Sequence, residues 1–210
     1  MTAIAINKPL IGDLGRTLLV PALVALTLTS LSFGVGLTFG WITTINWLEA
    51  FAVFTSYACT YLCVVESRIN YPIGMVSTAA YAYLFWQWGL YASMAINIYL
   101  VPALIYGWFR RGRDTQTRPV GRVSLKMIPV YAVVVVGAYT GAVALLSTFG
   151  AVLPLADTVI LVGTLLAQFL LDNKKIETWF VWAIVNVFAI YLYFTAGLFL
   201  AGFQYIFFLG

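Results

Sequence analysis

The chain has no histidine and only two cysteines, and charged residues make up 9% of its 210 positions. The cysteines, Cys59 and Cys63, stand one helical turn apart inside an apolar run with no histidine to complete a transition-metal site, so they read as small apolar helix residues. No metal and no cofactor is therefore expected. The sequence also lacks a Walker-type phosphate loop, a pair of acids and a motif serine in a catalytic setting, which speaks against an enzyme. Soluble domains are about 25% charged, and a chain with so little charge cannot surround a core of this size with water-compatible surface.

What the chain has instead is apolar length. Hydrophobic residues make up 63% of it and the mean hydropathy is +0.98. A membrane-spanning helix needs about 20 mostly apolar residues. Candidates fall near 17–42, 47–65, 71–88, 90–108, 126–149, 154–171 and 178–195, with a shorter one from 197 to the end. The final stretch reaches about 21 Å, less than the roughly 30 Å hydrocarbon core. Lys8 and Arg16 precede the first run, as in a signal peptide, but no small-residue cleavage site follows Phe39 and the run is long. It is read as a helix.

The net charge of +4 is read as topology and not as nucleic-acid binding. Lys8, Arg16, Arg68, the stretch from Arg110 to Lys126, and Lys174 and Lys175 all fall on one side when eight helices alternate from an inside amino terminus. That places both termini in the cytoplasm of a bacterial-type inner membrane. Trp41, Trp47, Trp86, Trp88 and Trp108 fall at helix ends, as an aromatic belt does. Glu49 and Asp157 stand at the opposite surface and read as solvated helix starts favoured by the positive end of the helix dipole.

Shifting the chain by 108 positions brings Glu49 onto Asp157, Leu62 onto Leu170, Tyr83 onto Tyr191, Leu84 onto Leu192, Gly89-Leu90 onto Gly197-Leu198 and Ile98 onto Ile206 without a gap. The expected architecture is an all-α, polytopic transmembrane helical bundle. Two parallel three-helix repeats are joined by a connecting helix (3+1+3), with an additional amino-terminal helix. By segment, this gives an amino-terminal part (1–45), a first repeat (46–109), a basic loop with connecting helix (110–150) and a second repeat (151–210). A parallel repeat is a transporter signature, with the site expected between the copies near mid-membrane. In the connecting helix, Gly137 and Gly141 read as a close-packing pair.

Polar groups at that depth are costly and are site candidates by default. Trp179, Trp182 and Asn186 are spaced i, i+3, i+7 on one helix face, with Asn186 about 13 Å from the helix start. Two indoles and an amide suit a flat ring with polar edges, and a cationic ring gains a cation–π interaction of roughly 0.5–2 kcal/mol per indole. Tyr71, Gly74 and Thr78 hold the equivalent positions in the first copy, which leaves room either for a ligand or for close helix packing. Thr60 and Gln168, which are repeat equivalents, complete the candidate set with Ser77, Asn97, Tyr193 and Gln204, each of which could instead bond between helices. With no midplane cluster of carboxylates, facilitated diffusion is the simpler mechanism.

Asn70-Tyr-Pro-Ile-Gly74, Tyr81, Gly89-Leu90-Tyr91, Tyr106-Gly107-Trp108 and Trp179-x-x-Trp182-x-x-x-Asn186 together resemble the nicotinamide riboside transporter (PnuC) family, from about Asn46 to the end. The resemblance implies a fold similar to an enlarged SWEET sugar transporter. It also implies facilitated diffusion with trapping by a cytoplasmic kinase, and a substrate site at Trp179, Trp182 and Asn186. Thiamine and riboflavin remain open as substrates within such a family. A substrate-binding subunit of an energy-coupling vitamin importer is a further alternative, disfavoured by the repeat. A retinal photoreceptor needs a mid-helix lysine, and Lys8, Lys126, Lys174 and Lys175 all lie at membrane edges. The expected partners are a small-molecule substrate, the lipid bilayer and further copies of the chain in a trimer, with no nucleic acid.

Overall fold

The computed structural model describes residues 11–65, 67–110, 121–173 and 175–209. Its helices in chain order are α1 (Ile11–Thr38), α2 (Trp47–Val64), α3 (Asn70–Gln87), α4 (Tyr91–Arg110), α5 (Ile128–Thr148), α6 (Pro154–Asp172), α7 (Thr178–Ala196) and α8 (Phe199–Leu209), with a 3-10 turn at Leu125–Met127 before α5. Segments Leu18–Thr38, Trp47–Val64, Tyr91–Phe109, Leu125–Thr148, Pro154–Leu171 and Thr178–Ala196 are each long and apolar enough to cross a membrane. No strand occurs among the described residues, where Gly121 and Lys175 form an isolated bridge. The chain is an all-helical, multi-pass membrane bundle.

Local chemistry sets the helix ends. Asn46 caps α2, its Oδ1 accepting from the N–H groups of Leu48 at 3.1 Å and Glu49 at 3.2 Å. Gly89 and Gly197 end α3 and α7 in the left-handed region, at φ 67° and 82°. After each glycine the leucine N–H reaches back five residues, Leu90 to Phe85 O at 2.9 Å and Leu198 to Tyr193 O at 2.8 Å, and both leucines are buried. The same helix ending thus appears twice, at the two positions that the shift of 108 superposes.

The expected first helix at 17–42 is displaced. It is already formed at Ile11 and ends at Thr38, because Gly40 takes φ 68° and the Trp41 N–H turns back to Gly36 O at 2.9 Å. The last helix starts at Phe199 and not at 197, since Gly197 and Leu198 belong to the turn. The placements expected for Lys8, Arg111, Arg113, Arg118 and Lys174 lie outside the described residues.

α3 packs between α2 and α4, and α7 between α6 and α8. The two groups meet where α4 touches α6 and α2 touches α8, while α1 lies against α2 and α8. Helices α6, α7 and α8 start 107, 108 and 108 positions after α2, α3 and α4. α5 packs on α6, has no buried residue, and offers nothing within 4 Å of a Cβ placed on Gly137 or Gly141. The expected close packing at that glycine pair is not made by the described residues of this chain, where both positions face outward on a peripheral helix.

Candidate functional site

α7 is fixed against α6 before it presents anything to a ligand. Thr178 Oγ1 donates to Ala167 O at 2.8 Å, and at Gly163 an added Cβ would come within 2.5 Å of Val185 Cγ2, so the two backbones approach as closely as the missing side chain allows. With α7 held in this way, Trp179, Trp182 and Asn186 line a cavity of about 410 Å³ together with Ala183, Tyr205, Phe208 and Leu209. Trp182 is half-buried and Asn186 buried, while Trp179 stands at the rim with 68% of its surface exposed. Asn186 Nδ2 donates to Phe208 O at 3.4 Å, long for such a bond.

Behind the cavity runs a ladder of rings. Phe208 meets Tyr205 edge-on at 5.8 Å, Tyr205 meets Tyr193 at 5.3 Å, Tyr193 stacks on Phe85 at 5.2 Å, and Phe85 stacks on Tyr81 at 5.3 Å. Tyr81 donates its hydroxyl to Gln204 Oε1, and Gln204 Nε2 donates to Ser56 Oγ at 2.7 Å. These polar groups come from α3, α8 and α2, so the seam between the two helix groups is held by hydrogen bonds as well as by rings.

The remaining expected site residues fall into two groups. Tyr193 is in the ladder, one ring behind the cavity, with its hydroxyl 3.4 Å from Ser93 Oγ. Thr60, Ser77, Asn97 and Gln168 are not among the residues that line the cavity. Thr60 donates to Ser56 O at 2.9 Å, Asn97 to Ser93 O at 2.8 Å, and Ser77 reaches from α3 to Ala52 O on α2 at 3.3 Å. Each of these three makes a helix-backbone bond.

Tyr205 and Phe208 were not singled out from the sequence. Tyr205 occupies the repeat position of Asn97, so the register that pointed to Asn97 also contained it. In the first copy, Gly74 stands where Trp182 stands in the second. A Cβ on Gly74 would lie 3.1 Å from Cys59 Sγ and 3.2 Å from Leu104 Cδ1. Of the two readings left open there, close packing is what the structure has.

Glu49 and Asp157 correct the expectation of solvated helix starts, being only 5% and 0% exposed. Asp157 on α6 accepts from Ala92 N at 2.8 Å and Ser93 N at 2.9 Å, and from Ser93 Oγ, all in the first turn of α4. Glu49 on α2 accepts from Ala201 N at 3.0 Å, in the first turn of α8. Each acid serves the orphan N–H groups and positive dipole end of a helix in the other group. The sequence showed the acids as equivalents but not the helices they cap.

A multi-pass helical bundle whose two helix groups meet at a ring-lined seam, with an aromatic cavity beside it, has the form of a membrane transporter for a small molecule. The chain belongs to the nicotinamide mononucleotide transporter family, whose model matches residues 46–210. It is 23% identical over 191 residues to the nicotinamide riboside transporter PnuC of Escherichia coli (strain K12), covering 77% of this chain and 80% of that protein. To the PnuC of Neisseria mucosa it is 28% identical over 157 residues, covering 70% of this chain and 60% of the relative. The riboflavin/roseoflavin transporter RibM of Streptomyces davaonensis is 24% identical over 187 residues, covering 77% and 85%. The crystal structure of the vitamin B3 transporter PnuC shares the fold, with a TM-score of 0.61 at 20% identity over 94% of this chain and 96% of that one. These relatives are transporters and not enzymes.

Proposed function

We propose that the protein carries nicotinamide riboside across the inner membrane by facilitated diffusion, with phosphorylation by a cytoplasmic kinase retaining the nucleoside. The observation that carries this reading is the cavity at Trp182, Trp179 and Asn186. Its indoles offer electron-rich faces to a pyridinium ring, and the long Asn186–Phe208 contact is readily exchanged for a bond to a carboxamide or ribose hydroxyl. Glu49 and Asp157 are engaged as helix caps, which supports uniport over coupling to an ion.

Around this site we read α2–α4 and α6–α8 as two parallel repeats joined by α5, with both termini and the basic residues in the cytoplasm and the chain assembled as a trimer. Thr60, Ser77, Asn97, Gln168 and Tyr193 are kept as candidate residues along the path, where their local bonds would exchange as the repeats move. A flavin is the second reading, supported by the similarity to a riboflavin/roseoflavin transporter, since an uncharged tricyclic ring also stacks on indoles.

Proteoliposome counterflow tests the proposal. Labelled nicotinamide riboside should exchange down its own gradient at a rate unaffected by imposed proton or sodium gradients. Accumulation driven by either gradient overturns uniport, and flux of riboflavin without flux of the riboside moves the function to the second reading.

A further inference from the structure

Where α1, α3 and α7 finish and α2 and α8 begin, the bundle holds a smaller cavity of about 190 Å³. Trp41, Thr43, Asn46 and Glu49 line it from the α1–α2 turn and the start of α2, with Trp88 from the end of α3 and Phe199 from the start of α8. Its wall is fixed before any ligand arrives. The N–H groups of Trp41 and Ile42 both turn back to Gly36 O, at 2.9 and 3.2 Å, and a Cβ on Gly36 would run into the Ile42 side chain. Trp41 is held in turn among the rings of Phe39, Phe194, Phe199 and Phe203, at 5.0, 5.5, 6.3 and 5.9 Å. Trp88 is exposed and meets no other ring among the described residues, so its indole is the one left to receive a ligand.

Glu49 is the one charged residue among those that line the cavity. Helix dipoles do not neutralise it. The amino-terminal ends of α2 and α8 and the carboxyl-terminal ends of α1, α3 and α7 meet here, and at about half a charge each they leave a small negative remainder. The cations stand at the far ends of the same bundle: Arg16 in the first turns of α1, Arg68 after α2, Arg110 at the end of α4, Arg122 and Lys126 before α5, and Lys175 after α6. Every other lysine and arginine is within three positions of a described residue at that far end, a reach of at most about 11 Å, while α2 alone rises about 27 Å. No basic residue therefore offsets Glu49. Its carboxylate takes the N–H groups of Ala201, at 3.0 Å, and Leu200, which leaves part of the capacity of a group with about four lone-pair sites.

We propose that this cavity binds an organic monocation with a single flat ring, of the N-alkylpyridinium class, with the ring on the Trp88 indole and the charge beside Glu49. Size selects one ring. A cavity of about 150 Å³ holds benzene, so 190 Å³ takes one substituted six-membered ring and is too small for three fused ones. Charge selects a cation, since an exposed indole and an unopposed carboxylate both favour one. Asn46 spends its Oδ1 on the α2 cap, and its amide NH2 is left as a donor to a ring substituent. On the orientation proposed above this end faces outward, so the cavity stands ahead of the Trp182 cavity on the substrate's way in. That placing rests on the transport reading; the binding itself does not.

Calorimetric titration of the full chain in detergent with the 1-methylnicotinamide cation, and with neutral nicotinamide as its control, tests the proposal. The cation is expected to fill two sites, one of which Trp88→Leu weakens about 3- to 30-fold by removing the indole face. Glu49→Gln keeps an acceptor for the Ala201 N–H and should weaken the same site by a similar factor. Thr43→Trp, at an exposed position away from the cap, fills the cavity and should abolish that site. Trp182→Ala should leave it unchanged and weaken the other. Nicotinamide, which lacks the charge, should bind there about 3- to 30-fold less tightly than the cation. A single site that Trp182→Ala alone weakens, a second site indifferent to Glu49→Gln and Trp88→Leu, or equal affinity for the cation and the neutral amide, each overturns the proposal. Failure of the transport reading is seen separately, as a missing Trp182-dependent site beside an intact Glu49-dependent one.

Discussion

Phe85 and Tyr193, 108 positions apart, stack with ring centroids 5.2 Å apart and planes 8° from parallel. Both rings are almost wholly buried, and they join α3 to α7 at the place where the register superposes one residue on the other. Truncating a buried ring costs about 3–5 kcal/mol. Tyr193→Ala should therefore lower the thermal midpoint in detergent sharply. Tyr193→Phe, which keeps the ring and loses the hydroxyl's 3.4 Å contact to Ser93 and its bond to Tyr205, should cost less than the truncation, about 1–3 kcal/mol. Equal melting of the two variants would remove the stack as the join.

The crossed caps give a second prediction. Asp157→Ala leaves the N–H groups of Ala92 and Ser93 and the Ser93 hydroxyl without their acceptor, and Glu49→Ala does the same to the N–H groups of Ala201 and Leu200. An unsatisfied buried donor costs about 1–3 kcal/mol, so both variants should melt lower, Asp157→Ala more so because three donors are stranded against two. Glu49→Gln retains an acceptor and should lie between Glu49→Ala and the parent. Melting curves of the three variants that coincide with the parent's would contradict this assignment.

Gln204 bonds to both Tyr81 on α3 and Ser56 on α2. Gln204→Leu strands both hydroxyls and should cost about 1–3 kcal/mol. Counterflow should slow with it, on the proposal that the two helix groups move against each other at this seam. Unchanged stability together with unchanged exchange would place the moving seam elsewhere.

Asn186→Ala removes one amide from the cavity while leaving both indoles in place. A neutral hydrogen bond is worth about 0.5–1.5 kcal/mol, so the riboside affinity read by calorimetry should fall about 3- to 10-fold. An unaltered affinity would take Asn186 out of the site.

The fold was largely legible because a membrane helix must satisfy its own backbone, which leaves long apolar runs that end at recognisable residues. Asn46, Pro154, Gly89 and Gly197 mark boundaries that the structure keeps. The first helix was misplaced because its end depends on Gly40 taking a positive φ inside a run that stays apolar to Trp41. Trp179, Trp182 and Asn186 were legible as one face because helical spacing alone brings them together. The α8 side of the cavity was not, since Tyr205 and Phe208 reach it through the packing of α7 on α8, which no local pattern records. Glu49 and Asp157 failed for the same reason: their caps lie 152 and 64–65 positions away. Gly137 and Gly141 show the converse, a packing motif with no partner helix against it among the described residues of the chain.

The central claim is that an aromatic cation binds against Trp182. Titration of the purified protein with nicotinamide riboside, thiamine and riboflavin by calorimetry, in parallel with Trp182→Ala, tests it most directly. The account predicts saturable binding of the riboside in preference to the other two, weakened about 3- to 30-fold in the variant by the lost cation–π interaction of roughly 0.5–2 kcal/mol. Binding that is the same with and without the indole, or no binding of the riboside at all, would contradict it.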